Sequence, residues 1–548
     1  MNRSPQALAA CIDVAMRRRP ADLVIKGARL FNLITGELLS QDIAICGDRI
    51  AAIGPDYDGK QVLHADGLTA VPGFTDAHCH LESSMVTPQA WERMVLPRGV
   101  TSAVCDPHEL ANVAGVAAID AFIAASKTLL MNLQVQIPSC VPALPSEEAG
   151  AILDSTAIAP YAAQHALAEF MNVPGVLQNA PDALQKLANF ANRPIDGHAP
   201  LVDGDALCAL GAAGITNDHE CSNPEEALQK LRLGMTILIR AGSVGRNLEA
   251  LSPLLTTELA DRLCLCTDDR DPRDVLQEGH LDAAIRNAIA AGRDPLAVYR
   301  AACLTPARHF GWRHRGLIAP GYMADIVLMP DLADCRAKHV IAKGVLVTDA
   351  AFAQRPAEPD MSAFRNSVRI ARALTADDFI SSSDDRVIRI QEGTLLTQVT
   401  STPNCATPPA QLALIARHGK SNRIGHAWVD GFNLTEGALA STVGHDSHNL
   451  CVVGTSPEAM ALAANALRDC GGGFAVVHGG RVTATLPLPI GGLLSDQPWE
   501  TVARNLDTLH AAAHATGCTL SNPFLALAFL PLPVIPAARI TLDGFVTC

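Results

Sequence analysis

Basic residues are in deficit along this 548-residue chain: 42 Lys and Arg face 56 Asp and Glu, a formal net charge of −14. A nucleic-acid scaffold needs a net basic surface to neutralise phosphates, so that class is disfavoured, although a free base or nucleoside as ligand is not. Charged residues amount to only 18 % against 49 % hydrophobic, which excludes a disordered, collagen-like or coiled-coil chain. A secretory signal is also missing. The apolar stretch 8–16 is short, and Arg17, Arg18 and Arg19 lie on its wrong side. No run is suited to span a membrane: the most apolar one, 524–540, is broken by Pro531, Pro533 and Pro536 and reads as buried strand or loop. Sixteen cysteines are scattered rather than clustered, which suits small buried hydrophobes in a reducing, cytoplasmic setting better than disulfides.

What is present is enough sequence for two to four domains at about 150 residues each. Residues 22–70 carry short β-branched runs separated by turn residues, the texture of a small sheet or sandwich. That texture returns at 321–329 and 340–347. Two halves of one β-domain (1–70 and 316–350) flanking an inserted middle domain (71–315) explain this, since chain ends of a domain often lie close together. Within the insert, apolar runs at 74–79, 101–105, 133–137, 167–170, 194–197, 215–217, 236–239 and 263–266 alternate with helical patterns. Eight strand–helix units predict a (β/α)8 TIM-like barrel, whose reactive groups sit at the C-terminal strand ends. Past a Pro-containing linker at 350–363, glycine clusters alternate with apolar runs, which predicts a C-terminal α+β domain over 365–548.

The strongest local signal is Gly73-Phe-Thr-Asp-Ala-His-Cys-His80. Residues two apart on a strand share a face, so His78 and His80 can reach one ion, and imidazole suits Zn, Fe or Mn. Any strand with two histidines carries such a pair, so it does not decide the matter alone. Glu169, His198, His219 and Asp268 each fall at the end of a candidate strand as well. Five strand ends supplying metal-type side chains favour a metal site over coincidence. The second strand is followed by Asp106-Pro-His108-Glu109, which either lines the pocket or caps the next helix; the pocket reading is preferred. Arg240-Ala-Gly-Ser243, after the seventh strand, either orients substrate or forms a structural loop. His445, Asp446, His448 and Asn449 make a polar group ahead of an apolar run, as a turn also would.

This pattern resembles the amidohydrolase superfamily. More narrowly, the chain is similar to the bacterial type of adenine deaminase family in Pro72-Gly-Phe-Thr-Asp-Ala-His-Cys-His-Leu-Glu-Ser-Ser-Met85, Gly99-Val-Thr-Ser-Ala-Val-Cys-Asp-Pro-His-Glu109, Ala168-Glu-Phe-Met-Asn-Val-Pro-Gly175 and Cys266-Thr-Asp-Asp-Arg270. Ser441-Thr-Val-Gly-His-Asp-Ser-His-Asn449 and Leu486-Pro-Leu-Pro-Ile-Gly-Gly-Leu-Leu-Ser495 fit the same family, and most amidohydrolases lack that C-terminal domain. The resemblance covers the chain from about residue 20 onward. It implies a binuclear divalent metal centre, manganese or iron with zinc as the other option, held by His78, His80, Glu169, His198, His219 and Asp268. Glu169 is the implied bridging carboxylate; no lysine lies near its strand end, so a carbamylated lysine is not on offer. Asp268 is preferred to Asp269 because it directly follows the small residue at the strand end, as in the superfamily pattern. The implied reaction is hydrolysis of adenine to hypoxanthine and ammonia, with Asp268, Glu169 and His219 as catalytic groups. His108, Glu109, Ser243, His445, Asp446 and His448 are the implied substrate contacts, the last three on a loop over the barrel mouth. Partners are adenine and water, with no nucleic acid or membrane, in a homodimer. The alternative is an amidohydrolase of another aminopurine or pyrimidine, a cyclic amide or an N-acetyl sugar. The Pro-Cys-x-x-Cys element of zinc cytidine-type deaminases is absent from the sequence.

Overall fold

The computed structural model describes residues 4–380, 385–392, 394, 396–405, 407–535 and 537–547. Eight short parallel strands form the middle of the chain: β1 (Phe74–Cys79), β2 (Val100–Cys105), β3 (Asn132–Val135), β4 (Leu167–Phe170), β5 (Ile195–Gly197), β6 (Asn217–Asp218), β7 (Thr236–Arg240) and β8 (Leu263–Cys266). Pairing runs β1–β2–β3, β4–β5 and β6–β7–β8. The gaps are bridged by Ile137 with Leu167 between β3 and β4, and by Cys79 with Asp268 between β1 and β8. Between β5 and β6, Thr216 N donates to Ile195 O. The ring is therefore closed, as the alternation of apolar runs and helical patterns predicts. Except for Asn132 and Gln134 of β3, which are half-buried, its strands are buried along their whole length (Phe74, Val100, Ala103, Leu167, Ile237, Leu265), because helices cover the outside and side chains fill the inside.

Two further sheets precede and follow this ring in sequence. Strand Ile326–Met329 pairs antiparallel with Thr69–Pro72, so one six-stranded sheet draws strands from both sides of the barrel. It packs on a four-stranded sheet containing Ala21–Lys26 through Leu23, Ile25, Ile43, Ile45, Leu328 and Ile341. Gly73 is the link from that sheet into β1. A Cβ there would lie 2.0 Å from Thr101 Oγ1, so only glycine lets the chain pass.

The C-terminal part is an eight-stranded sheet with Leu450–Gly454 and Ala438–Ser441 near its middle. Helix Pro457–Cys470 packs on one face of it through Met460, Ala464 and Leu467. Helix Trp499–Ala515 meets the barrel helix Pro272–Gln277, where Arg273 Nε and Asp507 Oδ1 lie 2.6 Å apart. Two expectations need adjustment. The segment 350–363 is no free linker: it begins inside helix Asp349–Ala353, Phe352 is buried, and Gln89 N donates to Glu358 Oε1. The apolar run at 524–540 contains a helix, Pro523–Phe529, ahead of strand Ala538–Thr541, and Pro536 lies outside the described residues. No helix among the described residues is long and apolar enough to cross a membrane. The fifteen described cysteines are all free thiols, most of them buried.

Candidate metal centre and active site

The C-terminal strand ends bring His78, His80, Glu169, His198, His219 and Asp268 into one cluster, buried except for the half-buried His198. Glu169 is its hub. Its Oε1 lies 3.3 Å from both His80 Nε2 and His108 Nδ1, while Oε2 lies 2.8 Å from His198 Nδ1 and 3.2 Å from His219 Nε2. Burial alone would raise this carboxyl group. The imidazoles of His108, His198 and His219 outweigh it and hold Glu169 well below the usual carboxylate range.

Asp268 faces the first strand. Its Oδ1 lies 3.5 Å from His78 Nε2 and 3.2 Å from His80 Nε2. Its backbone is left-handed, with φ of 57°, and is pinned on both sides: Asp268 N donates to His78 O and His80 N donates to Asp268 O. Against the opposing effect of burial, His78, His80 and Arg240 hold this carboxyl group well below its usual range.

The donor set fits divalent ions. His78 is fully buried, yet neither of its ring nitrogens has a hydrogen-bond partner, and His219 Nδ1 has none either. Burial, aided by neighbouring His219, keeps His78 neutral with a pKa pushed down to about 4. A buried neutral imidazole with idle lone pairs is costly unless something accepts them. His80 contacts Asp106 O through Nδ1 at 3.0 Å, which leaves Nε2 turned to Glu169 and Asp268. Three triads are within reach of single ions: His78, His80 and Asp268; His78, Glu169 and His219; and His198, His219 and Glu220.

The remaining sequence-derived candidates fall into two places. His108 lies beside the cluster, with Nδ1 3.1 Å from Asp106 Oδ2 and Nε2 3.3 Å from Glu109 Oε1. Glu109 in turn contacts His445 Nδ1 at 2.6 Å and His448 Nε2 on its other oxygen. The loop between strands Ala438–Ser441 and Leu450–Gly454 thus reaches the barrel mouth, with Asp446 Oδ1 3.9 Å from His108 Nε2. Arg417, fully buried, donates to His448 O and to Gly491 O and secures that loop. Ser243 stands apart: its hydroxyl accepts from Asp271 N, and its own N donates to Asp269 O. Asp269, the neighbouring carboxylate, accepts from Ser83 Oγ.

Sequence reasoning passed over Glu220 and gave Arg240 no role toward Asp268. Glu220 Oε1 lies 3.4 Å from His219 Nε2, and Arg240, the last residue of β7, bridges Glu220 and Asp268. The signal was available: both occupy strand ends, like the residues that were singled out.

Comparison with known proteins agrees with this geometry. Residues 69–347 match the amidohydrolase family, and residues 389–548 match the adenine deaminase C-terminal domain. An adenine deaminase of Sinorhizobium fredii is 48 % identical over 560 residues, covering 99 % of this chain and 98 % of its own. One of Gluconobacter oxydans is 49 % identical over 545 residues, covering 96 % of each. One of Methylobacterium nodulans is 49 % identical over 559 residues, covering 99 % and 98 %. The chain belongs to the amidohydrolase family, and within it to the adenine deaminases.

Proposed function

We propose that this chain hydrolyses adenine to hypoxanthine and ammonia at a binuclear metal centre held by His78, His80, Glu169, His198, His219 and Asp268. The observation that carries this reading is Glu169, buried, with two imidazoles on each of its oxygens. That disposition suits a carboxylate spanning two ions. Divalent ions held there would lower the pKa of water from near 16 to about 7 and so would supply a nucleophile at neutral pH.

The chain's own groups then do the rest. The net change joins oxygen to C6 of the base and breaks the C6–N bond to the amine. Asp268, ionised and turned toward His78 and His80, takes the proton of the attacking water and passes it to a ring nitrogen or to the departing amine. His219, or His108 from the other side, stabilises charge developing on the base. Glu109, His445, His448 and Asp446 form the wall against which the base is held. Asp446 Oδ2 is buried without a partner, which supports a role in accepting an N–H of the base.

Manganese or iron suits this mixed imidazole and carboxylate set, with zinc as the competitor. We read the chain as a β-domain (1–70 and 316–350), a barrel (71–315) and a C-terminal domain (365–548), assembled as a homodimer in the cytoplasm. The scatter of sixteen cysteines along a long chain supports the reducing compartment. The decisive experiment measures ammonia release from adenine, other aminopurines, pyrimidines and cyclic amides by protein loaded with Mn, Fe or Zn in turn. Adenine as the preferred substrate is expected. Preference for any other compound on the panel overturns the reading. Glu169→Gln should lose metal and turnover together, whereas Asp268→Asn should keep one ion and lose turnover.

A further inference from the structure

Strand β7 ends on neither an imidazole nor a carboxylate, but on Arg240, which is 7 % exposed. We infer that Arg240 is a positioning residue that orients Asp268 for proton transfer, with Glu220 as its counter-charge. This rests on the reading of Asp268 given above and adds to it the group that aims the carboxylate.

The geometry leaves Asp268 one degree of freedom. Its backbone is fixed by the bonds to His78 and His80, and its Oδ1 faces their rings. Only Oδ2 is left to set the side-chain torsion, and Arg240 Nη1 holds it at 3.0 Å. The guanidinium cannot swing away. Nε donates to Asn247 Oδ1 at 3.1 Å, Nη2 donates to Glu220 Oε2 at 3.1 Å, and Nη1 also meets Glu220 Oε1. A planar fork with fixed donors spans the ends of β6 and β8 in a way the point charge of a lysine does not.

Glu220 explains how a cation is tolerated at this place. A guanidinium beside two divalent ions would be driven off by repulsion in a water-poor pocket. Paired through both nitrogens with Glu220, it presents a neutral unit that still donates to Asp268. The loop after β7 makes room for it: a Cβ on Gly245 would sit 2.6 Å from Arg240 Nε. The phrase Arg240-Ala-Gly-Ser-Val-Gly245 thus carries both the fork and the space it occupies.

The test uses the full-length, manganese-loaded protein and the variants Arg240→Ala, Arg240→Lys and Glu220→Gln. Arg240→Ala is expected to retain two ions per chain and a near-normal KM, with kcat down about 100-fold, as for a misplaced reacting group. Added guanidine should restore part of kcat, and Arg240→Lys should fall between the parent and Arg240→Ala. With cobalt(II) in place of manganese, the visible spectrum of Arg240→Ala should shift at unchanged stoichiometry, because a ligand carboxylate has turned. A raised KM with unchanged kcat would assign Arg240 to substrate binding instead and overturn the inference. So would metal loss in proportion to kcat, which marks a structural role, or full activity in Arg240→Ala. If the parent binds two ions but does not deaminate adenine, the proposed function fails, while the cobalt spectrum still decides whether Arg240 orients Asp268.

Discussion

Lys230→Met tests whether a buried ion cluster fixes the two histidines of β5 and β6. Lys230 lies on helix Pro224–Arg232 and is fully buried. Its Nζ donates to Ala199 O at 2.7 Å, Asp218 Oδ2 at 2.8 Å and Glu226 Oε1 at 2.9 Å. Ala199 N returns a bond to Asp218 Oδ1 at 2.8 Å. The lysine thereby ties together the residue after His198 and the residue before His219. Burial would lower the ammonium pKa, but Asp218 and Glu226 outweigh it and raise it above the usual lysine value. Methionine matches the stem in volume but leaves Asp218, itself fully buried, without its counter-ion.

Removing one partner of a buried pair costs about 3–5 kcal/mol. For a unit of this size about 2 °C of Tm accompanies each kcal/mol, so the first thermal transition should fall by about 6–10 °C. Both loops carry metal-ligand candidates, so metal affinity should also drop by about 10- to 100-fold. Circular dichroism melts of the metal-loaded protein and metal analysis after dialysis give the two readouts. The double variant Asp218→Asn with Lys230→Met should be less destabilised than Lys230→Met alone, since the one carboxylate still charged, Glu226, keeps its bonds from Leu201 N and Ser222 N. A Tm loss below about 2 °C for Lys230→Met would refute the reasoning, because no buried charge would then depend on the lysine.

Three further outcomes are expected. Gly197→Ala should lower both thermal stability and metal content, because a Cβ there would lie 2.2 Å from Asn217 O and force β5 away from β6 just before His198; melts and metal analysis check it. Arg417→Met should destabilise by about 2–5 kcal/mol and raise the KM for adenine, since His448 O and Gly491 O lose their buried donor; urea unfolding and steady-state kinetics test this. Glu147, hydrogen-bonded to Ser447 Oγ and Leu144 N, has its carboxyl pKa pushed up from 4.5 to about 7, chiefly by burial. Between those two values the folded state holds a proton the unfolded chain has lost, so stability falls as pH rises through this window. The Tm of Glu147→Gln relative to the parent should therefore climb from pH 4.5 to 7 and level off above it. A difference that does not vary with pH argues against a protonated Glu147.

The sequence by itself determined the elements and the residues of the candidate site that strand ends carry. Apolar runs at regular spacing located the barrel strands, because a strand buried on both faces is mostly apolar, although the sixth run, 215–217, meets β6 (Asn217–Asp218) only at its first residue. His78 and His80 were legible as a pair because a strand repeats its facing every two residues. His198, His219, Glu169 and Asp268 were legible because barrel chemistry sits at strand ends. What only the tertiary structure decided concerns partners distant in sequence. That Glu109 meets His445 and His448, over 330 residues away, depends on how the C-terminal sheet docks on the barrel. That Asp268 rather than Asp269 faces the histidines depends on its left-handed backbone, a conformation no periodicity announces. Glu220 and Lys230 read in the sequence as ordinary charged residues, and Arg240 only as part of a phrase that orients substrate or forms a loop. Their meaning came from burial, since a charge removed from water must find a partner and the fold decides which one is within reach.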